Sequence, residues 1–194
     1  MIKIGITGGI GSGKSTVSEI FRLMSIPVYN ADIESKKLTN SSQTIRDKLI
    51  SLFGKELYNN GNLDKKMLAS LIFTNEENLK QVNNIIHPEV EKDFIRWANS
   101  KAEHSIVAHE AAILFEAGED QLMDKVITVY TPLEMRIARV SKRDNTSREM
   151  VQERINNQMS EEEKIARSDY VVYNDEQHSL IEQVNNILTD INND

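Results

Sequence analysis

"IKIGITGGIGSGKSTVSEIFRLM", Ile2 to Met24, decides the architecture. Ile2 to Thr7 alternate β-branched with small or polar residues, as a strand does, while Lys14 to Met24 place Val17, Ile20, Phe21 and Met24 on one helical face. Between them "GGIGSGKS", Gly8 to Ser15, satisfies GxxxxGK[ST], and the strand-then-helix setting turns a short pattern into a structural claim. Gly8, Gly11 and Gly13 let the backbone take positive φ, so that successive N–H groups converge on one oxygen-rich anion. A helix starting near Lys14 turns its positive end toward the same anion. Lys14 adds an ammonium group; a unit pair at about 4 Å and an effective dielectric near 20 gives roughly 4 kcal/mol before desolvation. Ser15 offers a hydroxyl to Mg2+ and Thr16 one to an α-phosphate. Gly8, Gly11, Ser12, Gly13, Lys14, Ser15 and Thr16 are therefore the expected triphosphate-binding residues. A glycine turn that binds nothing is the plain alternative.

Four further strands are expected: "IPVYNAD" from Ile26, "SIVAH" from Ser105, "KVITVYT" from Lys125 and "DYVVYN" from Asp169. Strands separated by helical segments imply a parallel sheet covered on both faces. Between the second and third strands the chain reads as helical, with "IIHPEV" continuing the helical period across Pro88. Thr131 to Arg167 reads as three helical pieces broken at "RDNTS" and "QMSEEE", where Ser147 and Ser160 are suited to cap the second and third of them. The C-terminal "HSLIEQVNNILTDINND" is an amphipathic helix.

A length of 194 residues suits one sizeable core with helical excursions rather than two independent folds. No run approaches the roughly 20 apolar residues that span a bilayer. The N-terminus shows no basic region followed by an apolar stretch and is expected to belong to the fold. With no cysteine, disulfides and thiolate chemistry are excluded, which fits a cytosolic protein. A net charge of −7 argues against general nucleic-acid binding. Arginine is nonetheless concentrated in one place, at Arg136, Arg139, Arg143, Arg148 and Arg154.

The glycine loop does not say what receives the phosphate. A guanine-nucleotide switch would need DxxG after a strand, and no aspartate here has glycine three residues on. Asp32 ends the second expected strand, and ligands bind at the carboxyl ends of such strands. It could orient an attacking hydroxyl, or it could cap the helix "IESKKL". Arg139 and Arg143, spaced i and i+4, share a helix face and suit a lid that brings positive charge to the transferring group. An exposed basic face is the alternative reading.

"IGITGGIGSGKSTVSEIF", "VYNAD", "IIHPEV", "ILFEAG", "RIARVSKRD", "RINNQMSEEEK" and "SDYVVYN" occur in the order and spacing of the dephospho-CoA kinases, which the chain resembles from Ile2 to about Ile191. The resemblance implies ATP-dependent phosphorylation of the ribose 3′-hydroxyl of dephospho-coenzyme A, the last step of coenzyme A synthesis, with Mg2+. It places the base for that hydroxyl on Asp32. The family's preceding aspartate falls on Asn30, which keeps an acceptor oxygen and loses the charge. Glu110 replaces an aspartate at the end of the third strand, and its longer side chain could still hold Mg2+ through water. Lys65 stands where the family often has arginine. His87 falls in the segment that the resemblance assigns to the acceptor, although a histidine before proline could equally fix a bend. Arg139, Arg143, Gln158 and Asn174 match family positions, Asn174 being suited to hold adenine.

The resulting expectation is an α/β P-loop NTPase fold with a doubly wound, five-stranded parallel sheet. Its core would span about 1–34, 104–133 and 166–194, with a helical acceptor-binding insertion at about 35–103 and a helical lid at about 134–165. Its partners would be the small molecules ATP and dephospho-CoA, with no nucleic acid and no membrane, and the protein a cytoplasmic monomer. Two alternatives stay open: a kinase for another small acceptor such as a nucleoside monophosphate, and a nucleotide-binding regulator without transfer activity.

Overall fold

The computed structural model describes residues 1–59, 61–73 and 75–193. They form two compact units, 1–30 with 101–194, and 31–100.

The first unit is built on a parallel sheet in the order β2-β5-β1-β6-β7. Its strands are β1 (Ile2–Thr7), β2 (Val28–Asn30), β5 (Ile106–Glu110), β6 (Lys125–Tyr130) and β7 (Tyr170–Tyr173). All five expected strands are present and parallel. Strand alternation sorts their side chains. Ile4, Ile6, Ile106, Ala108, Ile127, Val129 and Val172 face a core filled by Val17, Ile20 and Phe21 of α1 (Lys14–Leu23) and by Val184, Ile187, Leu188 and Ile191 of α9 (Leu180–Asn193). Thr128 points to the other face, where its hydroxyl donates to the Lys164 carbonyl of α8 (Glu161–Arg167). The sheet is thus covered on both sides.

Two further helices, α6 (Leu133–Asp144) and α7 (Arg148–Asn156), precede α8. Both expected caps form: Ser147 accepts from the Met150 N–H, and Ser160 makes a reciprocal capping box with Glu163. Ile137, Val140 and Val151 make a small core of their own between α6 and α7.

The second unit carries α2 (Ala31–Ser41), α3 (Gln43–Phe53), α4 (Lys65–Phe73) and α5 (Glu76–Asn99). Val82, Ile86, Val90, Phe94 and Ala98 recur every fourth residue along α5, which packs with α2, α3 and α4. Pro88 sits inside α5 as the sequence period requires, removing one backbone N–H without ending the helix. The wholly helical reading of this segment is corrected by a small hairpin, β3 (Tyr58–Asn59) with β4 (Asn62–Leu63). The Tyr58 hydroxyl, donating to the Thr39 carbonyl at 2.7 Å, and Asn40, accepting from the Leu63 N–H at 3.0 Å, hold it to α2.

Candidate active site

The phosphate loop joins β1 to α1 at the carboxyl edge of the sheet. Gly13, directly before α1, has φ 93°, and a Cβ there would stand 2.1 Å from the Asn174 side-chain nitrogen, so both conformation and space demand glycine. The Ser12 N–H returns to the Gly9 carbonyl, and those of Thr16 and Val17 to the Gly13 carbonyl. Among the described hydrogen bonds, the N–H groups of Gly11 and Gly13 have no protein acceptor. Two such donors beside a helix start form an anion-binding concavity. The Lys14 ammonium folds back across it, donating to the carbonyls of Gly8 at 2.8 Å and Gly9 at 3.3 Å.

Strand register explains the neighbouring polar group. Asn30 and Glu110 are paired residues of β2 and β5, and alternation puts both on the face that carries α1. The Ser15 hydroxyl donates to Glu110 Oε1 at 3.1 Å, and the Asn30 amide donates to Glu110 Oε2 at 2.9 Å. Two of the three departures from the family pattern, Asn30 and Glu110, are therefore one arrangement, an amide bonded to a carboxylate. A hydroxyl and one carboxylate fit Mg2+, a hard cation that takes few protein oxygens and completes its shell with phosphate and water. No group of three or more His, Cys, Asp or Glu suited to a metal occurs among the described residues.

Asn30→Asp tests this arrangement. A second carboxylate 2.9 Å from Glu110 raises the folded-state pKa of one partner, so the penalty is absent below the ordinary carboxylate range and grows as pH rises through it. At pH 7 the variant is expected to lose roughly 1–2 kcal/mol in chelator, with Mg2+ raising its melting midpoint more than that of the unmodified protein. A pH-independent difference, or an equal response to Mg2+, would contradict it.

On the other side of the loop, Asn174 at the end of β7 donates to the Ser12 carbonyl at 2.8 Å, and Thr131 donates to the same oxygen at 2.8 Å. Ser12 is fully buried beneath them, whereas Ser15 and Thr16 are exposed. Arg139 lies beside Thr131 and Asn174 at 3.4–3.5 Å. Arg143, one turn on, is exposed and grips Asp144 through two hydrogen bonds of 2.6 and 3.0 Å. Hydrogen bonds from Arg143 and Arg154 hold the Asp144 carboxyl far below the usual carboxylate range. Because that shift is downward, the contribution of the pairing is present above the ordinary carboxylate pKa and is lost as pH falls through the depressed one.

Arg136 shares a helix face with Arg139 and Arg143 by spacing but is not among the site residues that the family resemblance favours. Its side chain is almost fully buried, and Nη1 donates to Glu161 Oε1 at 2.5 Å. That oxygen also accepts from the Gly9 N–H at 2.9 Å, and Gln158 Oε1 accepts from the Ile10 N–H at 2.8 Å. Lys164 is fully buried, donating to the Ala112 carbonyl at 2.8 Å and to Glu116 at 2.9 Å. "QMSEEEK" and "ILFE" are thus a set of ties between α8, the phosphate loop and the turn after β5. A cleft of about 470 Å3 opens beside them, lined by Tyr130, Leu133, Arg136, Ile155, Gln158 and Glu161 among others.

The remaining candidates lie in the second unit. Helix α2 begins at Ala31, so Asp32 is inside its first turn rather than capping it, two residues beyond the end of β2 and exposed. Its carboxylate complements the positive end of the helix. Lys65 is the exposed first residue of α4, and His87 is half-buried in mid-α5, immediately before Pro88.

Comparison with known proteins identifies the family and the fold. A family model described as dephospho-CoA kinase matches residues 2–179. A dephospho-CoA kinase from Bacteroides fragilis is 45% identical over 183 residues, 94% of this chain and 89% of the relative. A crystal structure from Thermus thermophilus superposes with a TM-score of 0.85 at 36% identity, covering 97% of this chain and 96% of the other. A dephospho-CoA kinase structure from Campylobacter jejuni gives 0.71 at 26% identity, covering 97% and 96%.

Proposed function

Because the chain belongs to the dephospho-CoA kinase family, we propose that it transfers the γ-phosphate of ATP to the ribose 3′-hydroxyl of dephospho-CoA, giving coenzyme A and ADP. The observation that carries this reading is the phosphate loop with Lys14 folded over it and the Ser15–Glu110 pair at the adjacent strand end.

In this reading the Gly11 and Gly13 N–H groups receive phosphate oxygens, and Lys14 exchanges a loop carbonyl for the β/γ oxygens. Ser15 and Glu110 would hold Mg2+, which supplies positive charge to those oxygens when bound. Asp32 orients the 3′-hydroxyl and accepts its proton as the oxygen attacks phosphorus in line with the departing ADP oxygen. Arg139, already beside Asn174, stabilises the transferring group, and Arg143 joins it by exchanging Asp144 for phosphate. Lys65 and His87 are assigned to the acceptor, and Asn174 to the nucleotide. Closure of a lid within 134–165, through its α6 and α7 parts, would exclude water and suppress hydrolysis. The reaction is proposed for a single chain in the cytoplasm, a reducing setting that a sequence without cysteine suits.

A panel of acceptors incubated with ATP and Mg2+ tests the assignment by mass spectrometry. The expected result is one added phosphate on dephospho-CoA and none on nucleoside monophosphates. Transfer to another acceptor alone would replace this reading with a different small-molecule kinase, and tight ATP binding without transfer would replace it with a regulator.

A further inference from the structure

In a phosphate loop the amides serve the anion, yet at two positions here they do not. The N–H groups of Gly9 and Ile10 donate to Glu161 and Gln158, side chains 152 and 148 residues away in sequence. The Ile10 side chain points the same way, packing on the Ile137, Val140 and Val151 cluster of α6 and α7. Gly9 lies so close to this wall that a Cβ on it would stand 2.0 Å from Arg136 Nη1 and 2.4 Å from Glu161 Oε1. Main chain, side chain and steric fit all tie one limb of the loop to the helical segment after β6.

We infer that Gln158 and Glu161, with Arg136 bridging to Glu161, are positioning residues for ATP: they fix the Gly9–Ile10 limb so that Gly11 and Gly13 present their N–H groups to phosphate. Neither side chain need touch the nucleotide. The inference rests on the phosphate-site reading above. An N–H that is free to rotate must be ordered when phosphate arrives, and one that is already held need not be, so the anchors act on binding more than on the chemical step. The same ties mean that the Gln158–Glu161 end of the helical segment is a fixed post on the loop, and any closing motion belongs to the parts of α6 and α7 farther from it.

Gln158→Met removes the acceptor while keeping the length and apolar packing of the side chain. Calorimetric titration with ATP is expected to show affinity weakened about tenfold, the scale of one lost hydrogen bond. At saturating ATP, kcat stays close to that of the unmodified protein, the melting midpoint falls by only about 2–5 °C, and amide hydrogen exchange in the peptide spanning Gly8–Gly13 accelerates. Ile10→Ala, which loosens the same limb by a different contact, is expected to shift ATP affinity in the same direction and serves if Gln158→Met does not fold. Glu161→Gln keeps an acceptor for the Gly9 N–H and is expected to retain more ATP affinity than Glu161→Met. Unmodified protein that bound no ATP would overturn the phosphate-site reading itself. Unmodified protein that bound ATP, alongside Gln158 and Ile10 variants that bound it equally well, would overturn the anchoring alone.

Discussion

Replacing Asp32 with asparagine is expected to lower kcat by about 10²–10⁴-fold, the range that a positioned general base supplies, while ATP affinity changes only a few-fold. Asparagine keeps the size and one acceptor oxygen, so the local helix start is preserved; what is lost is the place where the hydroxyl proton goes. Asp32 occupies the first turn of α2, two residues along the chain from Asn30, which itself bonds Glu110. Work on the ATP side is assigned to Lys14, Ser15 and Glu110, which the substitution leaves intact. Steady-state kinetics with varied ATP, beside direct ATP titration, separates the two effects. Turnover surviving within a few-fold would remove Asp32 from its assigned role.

The second large effect concerns folding. Glu116→Ala is expected to cost about 3–5 kcal/mol, because it leaves the fully buried Lys164 ammonium with, among the described hydrogen bonds, the Ala112 carbonyl as its remaining partner. The Met159 N–H loses its Glu116 acceptor at the same time. For a chain of this size that cost corresponds to a melting midpoint lower by roughly 10 °C. The double variant Glu116→Gln with Lys164→Met removes both charges together and is expected to recover most of the loss. Calorimetric melting of the three proteins measures this, and an equal loss in the single and double variants would mean that packing, not the stranded charge, sets the cost.

The parts of the molecule legible in the sequence are those governed by local rules. Positive φ at Gly13 and its closeness to Asn174 admit no side chain, so the glycine pattern carries its own meaning. The five strands stand out because buried parallel strands need runs of β-branched residues, and Ser147 and Ser160 announce the helices they cap. The hairpin at Tyr58–Leu63 escapes because strands of two residues are too short to show a period. Asn30 and Glu110 read in sequence as two separate departures; their relation depends on strand register across 80 residues, which local pattern does not contain. Arg136, Arg139 and Arg143 share one helix face by spacing, and it is the family resemblance that favours the last two; what sets Arg136 apart is burial against Glu161 and Gly9. Backbone-level constraints are written locally, while charge pairing between distant segments is written only in three dimensions.

The central claim is a phosphate placed on one hydroxyl of one acceptor. Phosphorus NMR of the product formed from dephospho-CoA, ATP and Mg2+ addresses it directly. The account predicts a new phosphomonoester signal coupled to the ribose 3′ proton, appearing in step with ADP. A phosphate at another position, or ADP formed with no phosphate gained by dephospho-CoA, would contradict it.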